Sequence, residues 1–209
     1  QPKLGTASVF AAVGMGMLLV WGIPLRALLG VLGAGAAALP VGWHFLADYQ
    51  RSRLLVFLNP NLDPLGAGYT VIQSKIAMGS GFLFGKGWLS GTQSRLNFLP
   101  ERHTDFIFSV IGEEWGFLGT SVCLGLLAFF IIRSLRIAVE TRDPYGRLFV
   151  VGLVTMLAVH TVVNAGMSLG LMPVVGLPLP FLSYGGSWLL TSLVAVGMIL
   201  SVGVRRPLT

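Results

Sequence analysis

The densest chemistry in this sequence lies in Pro100-Glu101-Arg102-His103-Thr104-Asp105-Phe106. Glu101, His103 and Asp105 are acid–base or metal-ligating types, and apolar sequence follows at once. An ionisable side chain bordering a membrane span is a functional candidate by default, because holding it there is costly. Asp105 could act as general base toward a hydroxyl nucleophile. It could equally be a solvated helix-end carboxylate tied to Arg102, and the residue pattern alone leaves both readings open. If a helix starts at Pro100, Glu113 lies about 80° around it from Asp105 and about 12 Å further along, while Glu114 lies about 180° away. On that geometry Glu113 shares a cavity with Asp105 and Glu114 faces another helix. A nucleophilic triad of Ser109, His103 and Asp105 fits poorly, since His103 is turned about 200° from Asp105 on the same helix.

Other motifs fail on inspection. Gly85-Lys86 is followed by Gly87 where a phosphate-binding loop needs Ser or Thr, and Ser80 stands where that loop needs its first glycine. The three histidines are scattered, which disfavours a zinc site, and Glu101, His103 and Asp105 make a weak ligand set. His160 falls inside an apolar stretch, where it is either a proton relay or a hydrogen-bonded packing residue. The cations Arg51, Lys75, Lys86 and Arg102 could hold an anionic, phosphate-bearing lipid head group.

These residues need elements to position them, and the elements are membrane helices. Apolar stretches of about the 20 residues that cross a bilayer occur near 4–23, 27–47, 106–132, 148–172 and 187–204. Arg133, Arg136, Arg142 and Arg147 lie between the third and fourth, and Arg205 and Arg206 follow the fifth. The positive-inside rule then places 133–147, Arg26 and the C-terminus in the cytoplasm, and 48–105 outside. That outer segment is semi-polar, dense in turn signals, and long for a structureless loop, which marks it as functional. Within it, 69–78 reads as an interfacial or re-entrant element.

Composition agrees. The chain has 209 residues, 54% hydrophobic and only 11% charged, with mean hydropathy +0.80. Soluble domains carry about 25% charged residues, so a soluble domain, a disordered chain and a disulfide scaffold are excluded. Fourteen Lys and Arg against eight Asp and Glu give +6. In a membrane protein this excess reports loop orientation and anion contacts, so nucleic acid is not needed to explain it. The single cysteine, Cys123, reads as a small buried hydrophobe. The chain opens on Gln1 with no signal-peptide pattern and is expected to be part of a longer protein.

Several ordered motifs go further: Asp48-Tyr49-Gln50-Arg51-Ser52-Arg53, Asp63-Pro64-Leu65-Gly66-Ala67-Gly68-Tyr69, Gln73-Ser74-Lys75-Ile76-Ala77, Gly85-Lys86-Gly87-Trp88-Leu89, the 99–108 run around Asp105, and 173–187. Together they resemble the SEDS family of bacterial cell-wall proteins across essentially the whole chain, nearer its elongation branch than its division branch. The resemblance implies an all-α polytopic bundle of about ten spans, of which this chain would be the C-terminal half. It implies a glycosyltransferase polymerising lipid II at the outer face of the cytoplasmic membrane, partnered by a class B penicillin-binding protein. Asp105 falls on the family's essential aspartate. By resemblance it deprotonates the acceptor sugar's 4-hydroxyl, which displaces undecaprenyl pyrophosphate with inversion.

Charge and motif membership make Arg51, Lys75, Lys86, Gln93, Glu101, Arg102, His103, Glu113 and Ser183 the candidate substrate contacts. No cofactor is certain, and a divalent cation assisting the pyrophosphate stays open. Competing readings are a lipid II flippase and a non-catalytic scaffold for the penicillin-binding protein. One departure stands out: the family opens this region with QPDLGT, and here Lys3 replaces the aspartate.

Overall fold

The computed structural model describes residues 4–45, 48–63, 66–96 and 98–205. Lys3, the 46–47 end of the second expected span, the Pro64-Leu65 pair and Arg206 lie outside the described residues. Among those described the regular structure is helical: α1 Leu4–Trp21, α2 Leu25–Phe45, α3 Asp48–Leu58, a 3-10 turn Pro60–Leu62, α4 Ala67–Ser80, α5 Thr92–Arg95, α6 Ile107–Glu140, α7 Pro144–Ser168 and α8 Gly186–Val204. Of these, α6, α7 and α8 are long and apolar enough to cross a membrane. The helix α7 is the hub, with half of its most apolar stretch buried against 17% for α6 and α8. It packs on α1, α4, α6 and α8. Val150, Val151 and Val154 of α7 close one core cluster with Ala138 of α6 and Ile199 of α8.

The helix ends follow local chemistry that apolar counting overlooked. Helix α7 begins at Pro144 rather than near 148, because Asp143 caps it by accepting from the N–H groups of Tyr145 and Gly146. It stops at Ser168, where the N–H groups of Gly170 and Leu171 bond back to the carbonyls of Met167 and Gly166. Helix α6 runs on to Glu140, so most of the expected 133–147 loop is helix, and the true turn is only 141–143. Burial of Ser134 and Ala138 on the inner side of that extension explains why it stays wound.

The outer segment 48–105 is not a plain loop, since it holds α3, the 3-10 turn, α4 and α5. Helix α4 covers the expected re-entrant stretch and is pinned deep between neighbours. Its Ser74 hydroxyl, fully buried, donates to the Ser168 carbonyl (2.6 Å) and lies 2.6 Å from the Ser109 hydroxyl. Beyond α4 the chain forms a splint across α6. Helix α6 breaks at Gly116 (φ 65°, ψ −159°), a conformation open essentially to glycine alone. The backbone groups that the break releases are taken up by 82–87. Lys86 and Gly87 donate to the Glu113 and Glu114 carbonyls, while Phe117 and Leu118 donate to the Phe82 and Leu83 carbonyls. In lipid such groups must find protein partners, and here they do.

Candidate active site

The stretch 100–106 is a tight turn, not the first turn of a helix, because α6 starts at Ile107. Glu101 sits at φ 52° and its carbonyl accepts from the N–H groups of Thr104, Asp105 and Phe106. This breaks the helical extrapolation from Asp105 to Glu113, and the two carboxylates go to different places. The turn is then held from outside at three successive carbonyls. Tyr184 N–H donates to His103 O (2.8 Å), the Ser183 hydroxyl to Thr104 O (2.6 Å) and Asn164 Nδ2 to Asp105 O (2.9 Å).

So fixed, Asp105 is half-buried and lines a cavity of about 360 Å³ with Tyr49, Gln50 and Arg53 of α3 and the 173–176 loop. Arg53 also donates to the Val174 carbonyl (3.2 Å), which joins α3 to that loop. The loop comes close because Gly176 has no side chain: a Cβ there would stand 3.1 Å from Asp105 Oδ2. The result is a carboxylate, a guanidinium, a phenol and a carboxamide around one chamber. That set suits proton abstraction from a hydroxyl beside an anionic group.

The other candidates are dispersed. Arg51 points elsewhere, donating to the His44 carbonyl (2.9 Å) and lying 3.8 Å from Asp48. Arg53, counted with the outer basic residues that could hold a lipid pyrophosphate but not named as a substrate contact, is the cation that lines the chamber among the described residues. Glu113 is fully buried, and its Oε1 receives Lys86 Nζ (3.0 Å), Thr92 Oγ1 (3.2 Å) and Gln93 N–H (2.9 Å). The expected shared cavity with Asp105 is therefore replaced by an ion pair of the buried Glu113 carboxylate with Lys86, which ties 86–93 to α6. Ser183 is likewise structural in its contacts, accepting from Leu179 N–H (2.7 Å) while holding Thr104. Lys75 lies on an exposed part of α4 with its alkyl chain over Gly170.

Arg102, His103 and Glu114, with Arg95 and Trp88, line a second cavity of about 500 Å³. There Arg102 Nε donates to His103 Nε2 (3.0 Å). Glu101 is exposed, and its carboxylate accepts from Thr104 Oγ1 (3.1 Å). The Ser109–His103–Asp105 triad does not form, because Ser109 is buried against Ser74. His160 is a packing residue, with Nδ1 3.0 Å from the Pro178 carbonyl and its ring stacked on Trp188 at 4.2 Å. Cys123 is only half-buried and lines an apolar groove between α6 and α8. Among the described residues no group of three or more His, Cys, Asp or Glu side chains gathers to hold a metal ion.

Sequence reasoning missed Asn164. Its signal was visible, as an amide-bearing side chain near the end of an apolar helix.

Comparison with known proteins places this geometry. The chain is 48% identical over 207 residues to the peptidoglycan glycosyltransferase MrdB of Escherichia coli K12, covering 99% of the chain and 56% of that protein. It is 47% identical over 178 residues to the peptidoglycan glycosyltransferase RodA of Treponema pallidum, covering 85% of the chain and 41% of that protein. The chain thus spans about half the length of these relatives. Its fold matches a chain of a solved peptidoglycan synthase complex that coordinates polymerization and crosslinking, with TM-score 0.81, 38% identity, all of this chain and 58% of that one. It also matches the crystal structure of the rod shape determining protein RodA of Thermus thermophilus, with TM-score 0.63, 34% identity, all of this chain and 52% of that one. These likenesses and the apolar helices make it a multi-pass membrane protein. With the family model for FtsW, RodA and SpoVE cell cycle proteins matching residues 1–207, the chain belongs to that family, the SEDS family its motifs resemble.

Proposed function

We propose that this chain carries the catalytic chamber of a peptidoglycan glycosyltransferase that polymerises lipid II at the outer face of the cytoplasmic membrane. The observation that carries the reading is the chamber itself, in which Asp105 stands with Arg53 and its backbone is held by neighbouring elements. The Asp105 carboxylate takes the proton of the acceptor sugar's 4-hydroxyl. The freed oxygen attacks the donor's anomeric carbon, the bond to the pyrophosphate breaks, and undecaprenyl pyrophosphate leaves with the bonding pair. One displacement inverts the donor's configuration. Arg53 meets the charge growing on the pyrophosphate, where a fixed cation stabilises the transition state without reorganising. Arg95 and Arg102, with His103 beside them, offer a second basic face to the same lipid-linked substrates.

The segment 48–105 faces outward, and the 141–143 turn and the end of α8 face the cytoplasm. A class B penicillin-binding protein, cross-linking the strands, is the proposed partner.

The test uses the full-length protein with its partner and lipid II in proteoliposomes, measuring glycan formation and precursor translocation separately. Arg53→Gln lowers polymerisation at least about tenfold, as loss of a charge-assisted contact implies, and Arg51→Gln stays within about twofold. Equal effects of the two substitutions, or translocation lost while polymerisation persists, overturn the reading.

A further inference from the structure

Asn164 lies near the C-terminal end of α7, fully buried, on the inner side of the chamber wall. Both hydrogens of its amide are in use: Nδ2 donates to Asp105 O at 2.9 Å and to Leu177 O at 2.8 Å. Two carbonyl acceptors can be met only by the NH2 end, so the orientation of the amide follows. Its Oδ1 is buried with no hydrogen-bond partner among the described residues. An acceptor left in that state costs stability, so packing alone does not account for the choice of an amide here.

The two carbonyls belong to two segments that meet beside the chamber. Asp105 ends the turn that leads into α6, and Leu177 follows Gly176, the residue that a Cβ would bring to 3.1 Å from Asp105 Oδ2. Tyr184 and Ser183 already hold the two residues before Asp105. Asn164 holds Asp105 itself and ties it to the segment that follows Gly176.

From this geometry we propose that Asn164 is a positioning residue for glycosyl transfer, fixing the Asp105 carboxylate against the acceptor hydroxyl by bridging the Asp105 and Leu177 carbonyls. This rests on the reading of Asp105 as the base. A base shifted by about 1 Å from its working geometry can lose about a hundredfold in rate, while contacts that bind the lipid-linked sugars elsewhere are unaffected. Asn164 therefore acts on kcat and not on KM.

The experiment compares Asn164→Leu, Asp105→Ala and the double variant in the full-length protein with its partner and lipid II, alongside thermal unfolding in detergent. Asn164→Leu, with the same branching and heavy-atom count but without donors, lowers kcat about a hundredfold with KM within about twofold. Asn164→Ser, with one hydroxyl donor for one carbonyl, falls between it and wild type. In the Asp105→Ala background Asn164→Leu costs nothing further, because a missing base cannot be misplaced. Should Asn164→Leu fail to fold, Asn164→Ser is judged by the same criteria. The proposal is overturned by wild-type kcat in the Asn164 variants, by a loss that appears in KM, or by losses that multiply in the double variant. If Asp105→Ala keeps the wild-type rate, the base reading itself fails. If Asp105→Ala is inactive while Asn164→Leu is normal, only the positioning role fails.

Discussion

Arg51 and Arg53 stand two positions apart on α3 and have different tasks. One anchors the α2–α3 junction through the His44 carbonyl, and the other enters the chamber. Nothing in charge counting separates them, because the choice depends on how α3 lies against the 173–176 loop. Lys86 and Glu113 show the same limit. Read as substrate contacts, they turn out to be partners, with Glu113 fully buried and Lys86 reaching it from the surface with 29% of its side chain exposed. Removing one member of a buried pair strands the other charge. Lys86→Met is therefore expected to cost about 3–5 kcal/mol of stability, while Lys86→Met with Glu113→Gln recovers most of it; thermal unfolding in detergent checks both. Asp105 stood out in sequence as a candidate because a carboxylate at the edge of an apolar run is rare and costly. Asn164 left only a general signal, an amide near the end of an apolar helix, because what singles it out is which carbonyls it meets, and those come from segments 59 and 13 residues away in sequence.

At the scale of elements, apolar runs located the long helices well, since length and hydropathy are local properties. Their ends depended on caps. Asp143 and the turn after Ser168 moved both limits of α7 from where hydropathy drew them. The break in α6 was hidden because Gly116 stands at the start of the uncharged part of the span, two residues after Glu114, and glycine inside a membrane helix is common. Its cause lies outside the helix, in the 82–87 splint that satisfies the freed backbone groups. A Cβ on Gly116 would have to adopt φ 65° and would collide with the Gly85 backbone. Gly116→Ala is thus expected to destabilise the fold by about 2–5 kcal/mol, combining backbone strain and overpacking. Gly125→Ala, with open space around it, should leave stability within about 0.5 kcal/mol of wild type. Unfolding midpoints of the two variants in one detergent decide between this account and a merely flexible hinge.

For the whole molecule, the three long helices and the family membership establish a multi-pass membrane protein, and charge asymmetry sets the orientation proposed here. The basic residues Arg133, Arg136, Arg142 and Arg147 gather around the 141–143 turn, at the opposite end of α6 from Asp105. Ser90→Cys and Arg142→Cys, each in a Cys123→Ser background of the full-length protein, are expected to react with a membrane-impermeant thiol reagent from opposite sides. Ser90→Cys labels in intact cells, and Arg142→Cys labels only after the membrane is opened; the reverse pattern would invert the topology and put the chamber on the wrong side for outer-face polymerisation. The central claim concerns the chemistry at Asp105, and the most direct measurement is single-turnover glycosyl transfer by the full-length protein carrying Asp105→Asn, with lipid II binding measured in parallel. The account predicts that binding persists while transfer falls by about 10²- to 10⁴-fold, the usual contribution of a positioned base; transfer at the wild-type rate would contradict it.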